Sequence, residues 1–132
     1  ISVGTLEAMA FTAMKEKKES KDFLFCPLID ARRLEVFTAS YDADMTELTP
    51  PHALLLNSFS SFKKELNLKK TLFFVNGCKK WKDICLHRNA YYTNINEIYS
   101  AVGCLSFEKF CENKFADITM TFPIYTKEFF NK

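Results

Sequence analysis

Two short apolar runs constrain the fold of this chain more than any other feature. Residues 23–29 form a continuous apolar stretch interrupted only by Pro27, and residues 71–75 form a second stretch that ends at Asn76 and Gly77. Runs of this length without polar alternation are typical of strands covered on both faces. Because Pro27 lacks an N–H group, we expect the first of these strands to end at an edge of the sheet.

Apolar residues at helical spacing predict the layers that cover this sheet. Residues 4–18 form an amphipathic pattern, which predicts a helix. Thr49 followed by two prolines is a helix start signal, and apolar residues at helical spacing over 55–66 predict a second helix. Residues 42–51 are predicted as a polar loop. Residues 30–41 fit either a helix or a strand, and the good helix formers at 31–35 slightly favour a helix.

Sequence patterns in the second half of the chain predict several shorter elements. A helix is expected over 78–85, directly after the second strand. Asn94 and Glu97 form a capping pattern for a further helix, which Gly103 is expected to end. A short helix then follows from Ser106 to Cys111. Alternation over 116–122 predicts a half-buried strand.

These elements predict an α+β fold with a small mixed sheet of about three to four strands, packed by several helices. An α/β sandwich is the alternative. The chain has 132 residues, which is long enough for one globular domain with a sizeable core, and we take residues 1–132 as that domain. The tail over 124–132 is too aromatic for a free tail, so we expect it to pack back on the domain or to contact a partner.

One pattern occurs twice, at residues 77–85 and at residues 103–111, and holds four of the five cysteines. Each copy reads Gly-Cys, two residues, an aromatic residue, two charged residues, an apolar residue and Cys. In a helix, cysteines seven positions apart are separated by about 10 Å, whereas a disulfide needs Cα atoms within about 7 Å. Neither copy alone can therefore form a disulfide or chelate zinc.

Pairing across the two copies stays open, with Cys78 facing Cys104 or Cys111. The favoured interpretation is that the cysteines are small buried residues on the inner faces of two short helices. We assign no metal ligand and no cofactor. An odd number of cysteines at these spacings predicts an intracellular, reducing compartment such as the cytosol, the nucleus or an organelle matrix.

Charge and hydropathy restrict the partners. The net charge of +2 does not predict nucleic-acid binding, which needs a clustered basic excess. No apolar run approaches the roughly 20 residues that a transmembrane helix requires. We therefore expect a protein partner, and the oligomeric state stays open.

The turn after the second strand is the candidate anion site. A helix start beside several lysines suits a phosphate group. Its residues are Asn76, Gly77, Cys78, Lys79, Lys80 and Lys82. The same setting is expected to lower the pKa of the Cys78 thiol. Cysteine catalysis also needs a histidine, and because only His52 and His87 occur, at unknown distances, we assign no catalytic residue.

Aromatic residues provide the candidate protein-contact surface, because such side chains mark interfaces. The candidates are Trp81, Tyr91, Tyr92, Phe129 and Phe130. The sequence thus favours a non-catalytic protein-interaction domain, working as a subunit or adaptor of a larger assembly. One alternative is a phosphate-, nucleotide- or RNA-binding domain that uses residues 76–82, with enzymatic activity left open. The other is an apolar-ligand site within the phenylalanine-rich core.

Overall fold

The computed structural model describes residues 1–95, 97–119 and 121, and within them it contains a mixed five-stranded sheet and four α-helices. In chain order the elements are α1 (Thr5–Glu16), a 3-10 turn (Ser20–Asp22), β1 (Phe23–Asp30), β2 (Glu35–Tyr41), β3 (Glu47–Leu55), α2 (Lys63–Leu68), β4 (Lys70–Phe74), α3 (Cys78–Ile84), β5 (Ala90–Tyr92) and α4 (Tyr99–Cys111). The predicted α+β fold is confirmed. The sheet has one strand more than the three to four expected.

The strand order is β3-β2-β1-β4-β5. β1 pairs antiparallel with β2 and parallel with β4, while β2–β3 is antiparallel and β4–β5 is parallel. Both apolar runs of the sequence therefore become inner strands of the sheet. Their continuous apolar character follows from burial on both faces.

The expectation that β1 ends at an edge because of Pro27 is wrong. β1 is the central strand, and Pro27 pairs with Phe74 of the parallel neighbour. On the antiparallel side, the register runs from Phe25 to Asp30 but has no partner for residues 26 and 27. The missing N–H of proline is tolerated at this interruption of the ladder.

Helices cover both faces of the sheet. On one face, α1 contributes Leu6, Ala10 and Ala13 to a cluster with Phe25 and Phe74. On the other face, the segment around α2 and α3 packs on Cys26, Leu28, Val36 and Phe73. α4 lies against α1, where Ala101 and Leu105 contact Ala8 and Phe11. The helix predicted over 4–18 and the helix predicted over 78–85 are both confirmed.

The slight preference for a helix over 30–41 is wrong. The helix formers lie in a hairpin turn, in which Arg32 and Arg33 adopt positive φ angles of 90° and 46°. The N–H of Glu35 donates to the carbonyl oxygen of Arg32 at 2.9 Å and closes the turn. The following aromatic and β-branched residues then pair along both neighbouring strands as β2, where such side chains pack well.

Two further predictions have the wrong bounds. They are the polar loop over 42–51 and the helix over 55–66. Pro50 and Pro51 lie within β3, an edge strand, where proline is tolerated. The helix α2 begins only at Lys63, because Phe62 adopts a left-handed conformation with φ 57°. Phe59, one of the apolar residues at helical spacing that predicted the longer helix, is 89% exposed.

The end of the chain corrects two further predictions. Gly103 does not end a helix, and Ser106 does not start one, because α4 runs continuously through both. Residues 116–119 form a turn instead of a strand: the Asp117 carboxylate accepts hydrogen bonds from the Thr119 N–H at 2.9 Å and from its hydroxyl at 2.7 Å. The tail over 124–132 lies outside the described residues. No helix among the residues described has the length and apolar character that a membrane span requires.

Candidate functional site

The turn that follows β4 is tied to the neighbouring hairpin by its own polar groups. The Gly77 N–H donates to the carbonyl oxygen of Leu28 at 2.7 Å, and the Cys78 N–H donates to that of Val75 at 3.3 Å. The Asn76 side-chain oxygen accepts a hydrogen bond from the Asp30 N–H at 2.8 Å. The Gly77 and Cys78 N–H groups, two of the donors expected to face an anion, are therefore engaged in holding the turn.

Lys80 is engaged in the same way. Its ammonium group forms an ion pair with Asp30 and donates to the carbonyl oxygen of Glu35 at 3.3 Å. Its hydrogen bond to Asp30 holds the pKa of that carboxyl below its usual value, and the Arg32 N–H contributes in the same direction. Lys79 and Lys82 remain exposed. Of the three lysines predicted for the anion site, Lys80 is thus paired with Asp30, whereas Lys79 and Lys82 extend toward solvent.

Burial reverses the expected reactivity of Cys78. Desolvation raises the pKa of its thiol to about 12, and the charge of Lys82 lowers it only in part. At this pKa the Cys78 thiol stays protonated near neutral pH, and only the thiolate is nucleophilic. The sequence predicted a lowered pKa, because it could not show that the side chain packs beside the core instead of facing solvent.

The two copies of the repeated pattern have different environments. In the first copy Trp81 is fully buried, and Cys78 and Cys85 pack partly against the same core. In the second copy Cys104, Phe107 and Cys111 are exposed on α4. The prediction of two equivalent buried units is wrong for the second copy. All five cysteines are free, and the described residues contain no group of three or more metal-ligating side chains.

Thiol labelling should follow this difference. In native protein at low concentration and pH 7.5, a maleimide should modify Cys104 and Cys111 first. Cys26 should react last, because it is fully buried and burial raises the pKa of its thiol. Mass spectrometry after peptide digestion measures the order. Rapid native labelling of Cys26 or Cys78 would contradict the packing of the first copy.

The residues predicted for protein contact are not brought together. Trp81 is buried against Phe62 and Phe73, with ring centroids 5.3 and 5.9 Å apart, which leaves it no surface for a partner and corrects the prediction for this residue. Tyr91 is partly exposed on the edge strand β5, and Tyr92 is half-buried beside Phe73. Phe129 and Phe130 lie outside the described residues.

Among the described residues, the largest exposed aromatic surface lies on α4, on a different element from Trp81, Tyr91 and Tyr92. Four aromatic side chains on this helix and just after it are 56–81% exposed. They are Tyr99, Phe107, Phe110 and Phe115. Tyr99, Gly103, Phe107 and Phe110 follow at intervals of four, four and three, so they lie along one side of the helix. We call Tyr99, Gly103, Phe107 and Phe110 the α4 stripe.

The α4 stripe faces away from the body of the protein. The opposite side of α4 packs through Ala101 and Leu105 on α1, and Lys109 forms an ion pair with Glu7 at 3.0 Å. A Cβ atom added to Gly103 would have no atom within 4 Å. Sequence reasoning missed the stripe because Gly103 was interpreted as a helix stop. The helical spacing of Tyr99, Phe107 and Phe110 is the signal that would have revealed it.

Comparison with known proteins supports the fold. No family model matches the sequence, and no curated protein is significantly similar to it. A solved structure is similar in three dimensions: an uncharacterized protein with similarity to peptidase YEAZ, from Pseudomonas aeruginosa. The TM-score is 0.68 at 14% sequence identity, and the match covers 96% of this chain. This chain spans 58% of the length of that neighbour, and a likeness at this identity shows the fold alone.

Proposed function

We propose that this chain is a non-catalytic protein-interaction domain, and that the α4 stripe is its contact surface. The observation that carries the proposal is the exposure of aromatic side chains along one side of a helix whose other side is packed. Exposed apolar patches of this kind mark interaction sites. Tyrosine and phenylalanine are also enriched in interfaces.

The size of the patch supports a stable contact. The three aromatic side chains of the stripe and Phe115, whose ring lies 5.8 Å from that of Phe110, expose on the order of 500 Å², taking about 200 Å² for each free ring. Val102, Cys104 and Cys111 are also exposed on α4 and flank the stripe. A standard interface buries about 800 Å² on each partner, so a patch of this extent is of the right order.

The occupant that fits the stripe is a second copy of this chain. If two α4 helices cross antiparallel at the level of Leu105, then Phe107 of one copy lies opposite Gly103 of the other, since both are two residues from the crossing. The large ring meets the position with no side chain, and the contact occurs twice by symmetry. Residues 99–107 carry no charge, so the pairing brings no like charges together.

Sedimentation velocity across a concentration series tests this function. We expect the molar mass to rise from 15.3 kDa to twice that value as the concentration increases from micromolar to near-millimolar. Phe107→Ser should keep the protein monomeric. Phe59→Ser is the matched control, because Phe59 is 89% exposed on a different segment, and this variant should dimerise normally. A monomeric wild type throughout the series, or equal loss in both variants, would reject the surface.

The alternative functions have less support. An anion site at residues 76–82 would depend mainly on Lys79 and Lys82, because Lys80 pairs with Asp30 and the Gly77 and Cys78 N–H groups donate to carbonyl oxygens. An apolar ligand in the core would have to separate rings already in contact, such as Phe62 and Phe73 at 5.0 Å. Five free cysteines agree with the proposed reducing compartment, and the proposal takes residues 1–132 as one domain.

A further inference from the structure

A polar cavity lies on the opposite side of the sheet from α1. It has a volume of about 150 Å³ and is lined by β2, by β3 and by the segment that leads into α2. Leu54 and Phe62 provide apolar walls, while hydroxyl groups, His52 and the Glu65 carboxylate provide polar ones. A cavity of this volume accommodates an organic molecule of about six non-hydrogen atoms.

Glu65 provides the only carboxylate among the described residues that line the cavity. It is 8% exposed, and its Oε1 atom accepts hydrogen bonds from the Ser40 hydroxyl at 3.2 Å and the Thr49 hydroxyl at 3.0 Å. Among the described residues, Oε2 accepts no hydrogen bond and no lysine or arginine pairs with Glu65 or lines the cavity. Oε2 is not among the buried polar atoms that lack a partner, so it is the oxygen of this carboxylate that a ligand entering from solvent can reach.

The other polar groups of the cavity also favour a ligand that donates hydrogen bonds. His52 Nδ1 lies 2.8 Å from the carbonyl oxygen of Pro50, which can only accept, so Nδ1 carries the proton. In the neutral ring, Nε2 is then an acceptor. The register between β2 and β3 is irregular on both sides of Ser40, which lines the cavity. Such irregularities are frequent beside binding sites because they redirect side chains.

We propose that this cavity binds a primary ammonium group through Glu65 Oε2. A guanidinium group fits less well, because it prefers both oxygens of a carboxylate and Oε1 is already occupied by two hydroxyl groups. An ammonium group is a compact charge with three donors, which suits a single free oxygen with further acceptors around it. The ammonium can come from a free small amine or from a lysine side chain of a partner protein. This site does not depend on the α4 stripe.

Amide chemical-shift titration of the wild-type protein with n-butylammonium chloride tests the site. We expect saturable shifts at residues around Ser40, Thr49 and Glu65. n-Butanol, which has the same chain without the charge, should produce none. Butyltrimethylammonium keeps the charge but has no N–H donor, and it should bind at least about tenfold more weakly. Absence of saturation with butylammonium, or equal binding of the trimethyl compound, would overturn the proposal.

Two variants and one further probe complete the test. Glu65→Gln keeps an acceptor for Ser40 and Thr49 but removes the charge, so the affinity for butylammonium should fall at least about tenfold. Glu19→Gln makes the same charge change at an exposed position and should bind like the wild type. Loss of binding in neither variant, or in both, would contradict the site. Nα-acetyl-lysine methylamide binding more tightly than butylammonium assigns a lysine side chain as the source, and weaker binding assigns a free amine.

Discussion

Replacing Trp81 by alanine should lower the free energy of unfolding by about 3–5 kcal/mol, a large effect for a single substitution. The side chain is fully buried and packs edge-on against Phe62 and Phe73. Its Nε1 atom has no hydrogen-bond partner among the described residues, so its stabilising contribution is apolar packing. Urea denaturation followed by far-ultraviolet circular dichroism measures the loss, since Trp81 is the only tryptophan and fluorescence would be lost with it.

Two control variants separate packing from a surface role. Trp81→Phe keeps an aromatic ring in the core and should cost clearly less than the alanine variant. Phe59→Ala removes an exposed ring and should change the free energy of unfolding by no more than about 0.5 kcal/mol. A Trp81→Ala variant as stable as Phe59→Ala would contradict the burial of Trp81 and would return it to the candidates for protein contact.

Gly77→Ala should destabilise the protein by about 1–3 kcal/mol. The backbone at Gly77 has φ −77° and ψ −11°, which any residue can adopt, so the cost comes from space and not from conformation. A Cβ atom would lie 2.7 Å from the carbonyl oxygen of Leu28 and 2.9 Å from Val36 Cγ1. Because the first contact is with backbone, relieving it has to displace the turn or the central strand.

The second copy of the pattern supplies the matched control. Gly103 lies within α4 with open space around it. Gly103→Ala should therefore raise the free energy of unfolding by about 0.5–1 kcal/mol, the usual helix preference for alanine over glycine. Thermal and urea denaturation of both variants below the dimerisation range measure the contrast. Effects of the same sign at the two glycines would contradict the different environments of the two copies.

The extent to which the sequence predicts this fold depends on how local each signal is. β1, β4, α1 and α3 were predicted because their apolar runs or helical spacing persist over a whole element. The predictions failed where strand pairing or packing with distant segments, and not the local sequence pattern, determined the conformation. Helix-forming residues close the β1–β2 hairpin, and Pro50 and Pro51 lie on an edge strand.

The candidate sites were harder to predict than the fold, for a related reason. The turn after β4 has the composition of an anion site, but the Gly77 N–H donates to the carbonyl oxygen of Leu28 in β1, a distant segment of the chain. Conversely, the α4 stripe was hidden because glycine usually ends a helix, whereas Gly103 is held in one by the packing of Ala101 and Leu105 on α1. Local sequence cannot identify β1 as the segment that binds the turn, or α1 as the segment that packs on α4.

The measurement that tests the proposed contact surface most directly is sedimentation velocity on an exchange of the two facing residues. Gly103→Phe and Phe107→Ala should each weaken the dimer, because the first fills the open position and the second removes the ring that occupies it. The double variant restores one ring and one small residue at each contact, so we predict that it dimerises more strongly than either single variant. A wild type that remains monomeric, or a double variant as monomeric as the single ones beside a dimeric wild type, would contradict the α4 stripe as the contact surface.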